Sequence, residues 1–78
     1  MTKNMLKKLC LEWDGSNDQF KTIVASATQT LGLCQRELAD EFEVAESTIS
    51  RWINGVARPH PNIQAMVIVS ILKKVSNN

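Results

Sequence analysis

The stretch QRELADEFEVAESTISRWING, residues 35–55, decides the fold of this 78-residue chain. Its apolar residues recur at helical spacing and predict two short helices, Gln35–Phe42 and Glu46–Asn54. Each helix has one apolar face, formed by Leu38, Ala39 and Phe42 in the first and by Ile49, Trp52 and Ile53 in the second. Because the connector has only three or four residues, the two helices must cross steeply around a shared core.

The outer face of the second predicted helix carries small polar side chains and one long hydrogen-bond donor. Nearly opposite the core residue Ile49 lie Ser47, Arg51 and Asn54, flanked by Ser50 and Thr48. A helix with small residues outside can enter the major groove, where Ser and Thr hydrogen-bond to either base edge and Arg pairs bidentately with guanine. This face therefore indicates DNA binding, since a solvated surface helix would more often carry Glu and Lys.

The residues before this stretch predict two more helices. Residues 1–16 form an N-terminal extension with helical spacing over 3–13, although part of it also alternates as a strand would. Ser16 and Gln19 have the spacing of a capping box, which starts a helix that Gly32 ends. The apolar stripe of this helix consists of Phe20, Ile23, Val24, Ala27 and Leu31.

The residues after the stretch predict an extended connector, 58–61, and a last helix, 62–75. The apolar arc of this helix spans roughly 200°, which is wider than a surface helix needs. It indicates either deep burial or homodimerisation through this helix. Gln64, Ser70, Lys73 and Lys74 fall on its polar side. The predicted fold is all-α, a compact bundle of about five short helices.

Residues 35–55 resemble the helix-turn-helix of lambda-repressor and Cro type (Xre-like) regulators. The likeness rests on Gln35 at the first position, the Leu38-Ala39 pair, Val44 in the turn, Ile49, Trp52 and the Asn54-Gly55 ending. The neighbouring helices match that family's layout over about 17–75. The resemblance implies a lambda-repressor-like DNA-binding domain over 17–78, with its motif at 35–54, and an extra N-terminal helix.

The resemblance also implies a function and its residues. We expect a sequence-specific DNA-binding transcriptional regulator, a small repressor that reads the major groove of double-stranded DNA with helix 46–54. Gln35 would sit near a phosphate, and Asn54 and Arg58 match positions that touch the phosphate backbone. The base-reading positions are Glu46, Ser47, Thr48, Ser50 and Arg51.

Two residues depart from the family's pattern. Glu43 stands at the turn position that the family usually fills with Gly, and a positive φ there would cost on the order of 1 kcal/mol. Ala45 replaces the usual polar cap of the second helix, which forfeits roughly another 1 kcal/mol. Glu46 partly offsets this loss through the helix dipole. Both changes predict a marginally stable motif.

Charge is a further departure, because the chain has a net charge of only +1 and its motif, 35–54, carries two cations against five acids. Phosphate attraction would rest on Arg36, Arg51 and Arg58, with Lys21 as a further candidate. The acidic motif keeps a second hypothesis open: a protein-binding module on the same fold, such as an anti-repressor or an antitoxin.

Other classes of function have little support in the sequence. No signature of an enzyme is present, and His60 has no carboxylate or thiol near it in sequence. Cys10 and Cys34 form neither a zinc nor a redox motif, so we expect two buried, reduced thiols and no metal or cofactor. Without a long apolar run or a secretory signal, we expect a cytoplasmic protein that does not span a membrane.

Overall fold

The computed structural model describes residues 2–76, and these residues form helices without any strand. The elements are, in order, α1 (Lys3–Leu11), α2 (Asn17–Thr30), α3 (Gln35–Phe42), α4 (Glu46–Asn54) and α5 (Pro61–Ser76). The predicted all-α bundle of five helices is thereby confirmed. The outermost parts of the predicted segments 1–16 and 17–78, namely residue 1 and residues 77–78, lie outside the described residues.

Side-chain oxygens start the first two helices. Thr2 Oγ1 accepts a hydrogen bond from the Met5 N–H at 3.2 Å, and Ser16 Oγ accepts one from the Gln19 N–H at 3.2 Å. The reciprocal half of the predicted capping box is absent, because Gln19 Oε1 accepts from the Asp14 N–H at 3.1 Å. Asp14 in turn accepts from the Ser16 N–H at 2.8 Å, and this bond lowers the pKa of its carboxyl group.

Two helix ends differ slightly from the prediction. α1 ends at Leu11 rather than at 13, because the chain turns there and Trp13 Nε1 donates to the Ser16 carbonyl at 3.1 Å. α5 begins one residue early, at Pro61, and the His60 carbonyl accepts from the Ile63 N–H at 2.8 Å. His60 Nδ1 also accepts from the Asn62 N–H at 3.1 Å. The histidine therefore serves as the cap of α5.

The core forms around α2, which packs against α1, α4 and α5. Phe20 of α2 meets Trp52 of α4 edge to face, with ring centroids 5.8 Å apart and planes at 64°. Burial of apolar side chains supplies most of the stabilisation of such a small domain. The fully buried residues that contribute most volume are Phe20, Leu6, Ile23, Leu38, Ile49, Ile71, Val24 and Val67.

The structure corrects two predictions about burial. Cys34 is exposed rather than buried, because it occupies the cap position of α3 outside the core; Cys10 is buried as predicted. Gln64 is buried rather than on a solvated face, since the start of α2 and the loop before α5 cover it. The wide apolar arc of the last helix is not buried throughout, because Val69 is half exposed.

Candidate nucleic-acid interface

The turn between α3 and α4 has the left-handed residue that the sequence predicts. Glu43 has φ 57° and ψ 42°, a conformation that costs a non-glycine residue about 1 kcal/mol. The Val44 N–H donates to the Ala39 carbonyl at 3.0 Å, and the Val44 side chain packs against the core. Packing of Val44 and the small Ala39 thus holds a turn that local sequence disfavours.

The first turn of α4 has no side-chain cap. Ala45 occupies the cap position in extended conformation, and its carbonyl accepts from the Thr48 N–H at 2.9 Å. Glu46, the only acidic residue of this turn, is exposed. A carboxylate at a helix N-terminus interacts favourably with the helix dipole, so Glu46 contributes some of what the missing cap would supply.

The outer face of α4 presents polar side chains to solvent, as predicted. Ile49 and Trp52 are buried, so the opposite side of the helix faces outward. Asn54 Nδ2 donates to Ser50 Oγ at 3.4 Å, which leaves the Ser50 hydroxyl hydrogen free to point away from the helix. Ser47, Arg51 and Asn54 are exposed on this face, with the half-buried Thr48 and Ser50 at its sides.

The C-terminal end of α4 is closely bonded to the loop that follows. Gly55 adopts φ 75°, and the N–H groups of Val56 and Ala57 both donate to the Arg51 carbonyl, at 3.0 and 3.3 Å. The side chain of Lys21 lies over Gly55, where a Cβ atom would approach Lys21 Cδ to 3.2 Å. Absence of a side chain at Gly55 therefore lets a cation of α2 lie beside the end of α4.

Lys21 is thus a candidate interface residue, although the sequence named it only as a further candidate beside nine predicted DNA-contacting residues. Its positive charge made it a further candidate for phosphate attraction, but helical periodicity cannot tell which later element a residue of α2 meets. The predicted phosphate contacts Gln35, Arg36 and Arg58 lie outside α4. Gln35 and Arg36 begin α3, where Gln35 is half-buried and Arg36 exposed, and the exposed Arg58 lies in the loop after α4.

Two of the five acids of the motif are engaged within the protein. Glu37 Oε1 accepts from the Cys34 N–H at 3.3 Å and so closes the start of α3. Glu41 pairs with Lys74 of α5 at 2.6 Å and accepts from the Ser70 hydroxyl at 2.8 Å. Lys74, which the sequence placed among solvated surface residues, is therefore an ion-pair partner. The charge of Lys74 offsets that of Glu41, whereas the backbone N–H that bonds to Glu37 leaves the charge of that carboxylate unchanged.

The pKa of Glu41 reflects this environment. Partial burial raises the pKa of the carboxyl group, but hydrogen bonds from Lys74 and Ser70 and the charge of Lys74 outweigh that effect. The pKa of Glu41 consequently lies below its ordinary value. Glu41 is ionised at neutral pH and fixes α3 to α5 through a charge-assisted contact.

Residues 2–76 contain neither a candidate metal site nor a candidate membrane span. No group of three or more His, Cys, Asp or Glu residues in this range could hold a metal ion. None of the helices in this range is long and apolar enough to cross a membrane.

Comparison with known proteins identifies the family of the chain. A sequence profile of a helix-turn-helix family of Xre/lambda-repressor type matches residues 29–70, which run from the end of α2 into α5. Neither curated protein sequences nor solved structures give a significant match. Because the matched residues make up more than half of the chain and include the α3–turn–α4 unit, the chain belongs to the lambda-repressor-like (Xre-like) helix-turn-helix family of DNA-binding domains.

Proposed function

We propose that the protein is a sequence-specific transcriptional regulator that inserts α4 into the major groove of double-stranded DNA. The observation that carries this proposal is the division of α4 into a buried apolar side and an exposed side of small polar residues with Arg51. Ser47 and Ser50 leave the helix narrow enough for the groove, and Arg51 supplies the paired donors that recognise guanine.

The proposal separates base-reading residues from phosphate-binding residues. Glu46, Ser47, Thr48, Ser50 and Arg51 would contact base edges, and Gln35, Arg36, Asn54 and Arg58 would contact the phosphate backbone. Lys21 joins the second group because it lies at the end of α4. Phosphate contacts fix register without conveying sequence preference, whereas base contacts discriminate among sequences. The two groups therefore have different consequences when a residue is removed.

Selection of bound sequences from a random DNA pool tests the proposal. We expect enrichment of a palindrome, since a single α4 would bind weakly and two half-sites would be about 34–36 Å apart.

Arg51→Ala should make the free energy of binding less favourable by about 1–3 kcal/mol at one base position and relax the sequence preference there. Arg58→Ala should weaken binding to all sequences alike, and Lys7→Ala, an exposed cation of α1, serves as the control. No enrichment with the wild-type protein would refute the function.

A palindromic site requires a dimer, and α5 is the element we propose for the contact between subunits. Met66 and Val69 are 52% and 50% exposed and lie three residues apart on one side of the helix. Val69→Glu should abolish a dimer observed by sedimentation equilibrium without unfolding the monomer, because the side chain has room in solvent. A wild-type protein that stays monomeric on its selected DNA would exclude this arrangement.

The second candidate function is that of a protein-binding module, such as an anti-repressor or antitoxin. It is favoured by the acidic motif and by the same exposed apolar residues of α5. A titration with mixed genomic DNA at low salt discriminates between the two functions, because phosphate contacts bind any sequence there. Absence of binding favours the protein-binding module.

Repression, a cytoplasmic location and the division into segments 1–16 and 17–78 stay predictions.

A further inference from the structure

Gln64 is a polar residue that is buried with one of its side-chain atoms unpaired. It lies in the first turn of α5, is 2% exposed, and is the buried polar residue among residues 2–76. Its Oε1 atom has no hydrogen-bond partner. Leaving a buried acceptor unpaired costs about 1–3 kcal/mol, which an apolar side chain of similar volume, such as Met, would avoid. Packing alone therefore does not account for an amide at this position.

The amide nitrogen of Gln64 makes the contacts that the oxygen lacks. Nε2 donates to the Pro59 carbonyl at 3.0 Å and to Asn17 Oδ1 at 3.4 Å. Gln64 thus connects α5 with the first residue of α2 and with the loop after α4. The bond to Pro59 is the shorter of the two, and it holds the peptide group between Pro59 and His60, one residue beyond Arg58.

Arg58 lies between two fixed points of this loop. On its N-terminal side, the Ala57 N–H donates to the carbonyl of Arg51, the residue proposed to read bases. On its C-terminal side, the Pro59 carbonyl is held by Gln64. The side chain of Arg58 is itself exposed. The backbone at Arg58 is therefore held relative to α4 while the guanidinium group stays accessible.

We propose that Gln64 is a positioning residue that orders the loop after α4 so that Arg58 meets a DNA phosphate as α4 enters the groove. The inference rests on the proposed function, because it assigns Arg58 a phosphate contact. An ordered loop loses less conformational entropy on binding than a mobile one, and this difference appears as affinity. Gln64 contributes without touching DNA.

The test measures binding of mixed-sequence duplex DNA as a function of salt for Gln64→Met, Arg58→Ala and the double variant. One lost phosphate contact should lower affinity about eightfold at 0.1 M salt and reduce the slope of log K against log salt by about 0.9. We expect this eightfold loss of affinity from Arg58→Ala. Gln64→Met should lower affinity at least threefold, which is about half of the Arg58→Ala effect on a logarithmic scale. Arg58→Ala should therefore lower the affinity of the Gln64→Met variant much less than it lowers the affinity of the wild type.

Gln29→Met is the matched control, because Gln29 is an exposed glutamine of α2. It should change neither affinity nor slope. If Arg58→Ala costs the same in both backgrounds, Gln64 acts on stability alone and the proposal is overturned. If the wild-type protein does not bind mixed DNA at low salt, both the proposed function and the role of Gln64 are refuted.

A measurement on the wild-type protein covers the case in which Gln64→Met does not fold. Nuclear spin relaxation of backbone amides reports order at each residue on the picosecond to nanosecond timescale. The Arg58 amide should be as rigid as those of α4 and α5. A mobile Arg58 amide would overturn the proposal whatever the variants do.

Discussion

The two ends of α4 are held in different ways. At the N-terminal end, the cap position is Ala45 and the preceding turn contains Glu43 with positive φ. At the C-terminal end, Gly55 adopts positive φ as glycine readily does, and two loop N–H groups bond to the Arg51 carbonyl. Local sequence specifies the second end, whereas tertiary packing must impose the first.

This difference shows where the stability of the DNA-binding unit resides. The unfavourable turn and the missing cap together forgo about 2 kcal/mol, a sizeable part of the stability of a small domain. Burial of Ile49 and Trp52 beneath α4 offsets that loss. Three substitutions test the contrast, beginning with the packing on which both ends depend, and a fourth tests the contact between α3 and α5.

Trp52→Ala should have the largest effect, because it removes the ring that packs edge to face on Phe20. Loss of a buried Trp costs about 3–5 kcal/mol, and a chain of this size has only roughly 4–12 kcal/mol in total. We expect a large shift of the urea midpoint or loss of the folded state. Val56→Ala, at a side chain 76% exposed, should change stability by less than about 0.5 kcal/mol. Equal effects of the two substitutions would contradict the packing described for α4.

Gly55→Ala should destabilise the protein by about 1–2 kcal/mol, because alanine disfavours φ 75° and its Cβ would approach Lys21 Cδ. Gly32→Ala is the matched control, since Gly32 has φ 67° and open space around it. Chemical denaturation of both variants separates backbone strain, which they share, from the contact with Lys21. An unchanged free energy of unfolding in Gly55→Ala would mean that neither the positive φ nor the contact with Lys21 constrains the C-terminal end of α4.

Ala45→Ser should stabilise the protein by about 1 kcal/mol, because a serine oxygen can accept from the free N–H groups of the first turn. For a domain of this size, the gain corresponds to a rise in Tm of roughly 4–8 °C. Ala65→Ser, at an exposed position within α5, provides the control and should bring no gain. If both variants behave alike in thermal unfolding, the N-terminal end of α4 is already satisfied.

Glu41→Gln should have the smallest effect, about 0.5 kcal/mol, since the pair with Lys74 is one third exposed on both sides and solvent screens it. The pKa of folded Glu41 lies below its unfolded value, so the ion pair stabilises the protein above the unfolded pKa. This stabilisation is lost as pH falls through the folded pKa. The stability difference between wild type and Glu41→Gln should therefore be present at pH 7 and vanish in acid.

Substitution of the partner residue checks the same contact from α5. Lys74→Met should shift the acid limb of the unfolding profile as Glu41→Gln does. Lys73→Met, at the exposed neighbouring position, should leave that limb unchanged. An unchanged profile in Lys74→Met would mean that α3 does not depend on α5 for this support.

The sequence predicted elements well and their mutual contacts poorly. Helix bounds followed from local signals, such as the Ser16 cap and the glycine at 55, and the positive φ of Glu43 followed from the family resemblance. Helical periodicity gives the direction of a side chain about its own axis but not which element covers it. Gln64 was therefore placed only on the polar side of its helix, and the contacts of Glu41 with α5 and of Lys21 with Gly55 were not foreseen.

The sequence also predicted which side of α4 faces solvent. The exposed side of α4 agrees with the predicted set, since Ser47, Arg51 and Asn54 are accessible. Arg36 and Arg58 are accessible as well. Periodicity about one helix axis does not contain the position of the duplex, so it could not separate base contacts from phosphate contacts.

The unequal burial of the two cysteines gives the molecule a built-in attachment point for spectroscopic probes. Cys10 is 6% exposed, and burial raises the pKa of its thiol to about 11, so it stays protonated and shielded at neutral pH. Cys34 is exposed at the start of α3, next to Gln35. A maleimide dye or nitroxide should react at Cys34 alone, without mutagenesis. Such a label would report directly on the approach of a duplex to this end of the helix-turn-helix.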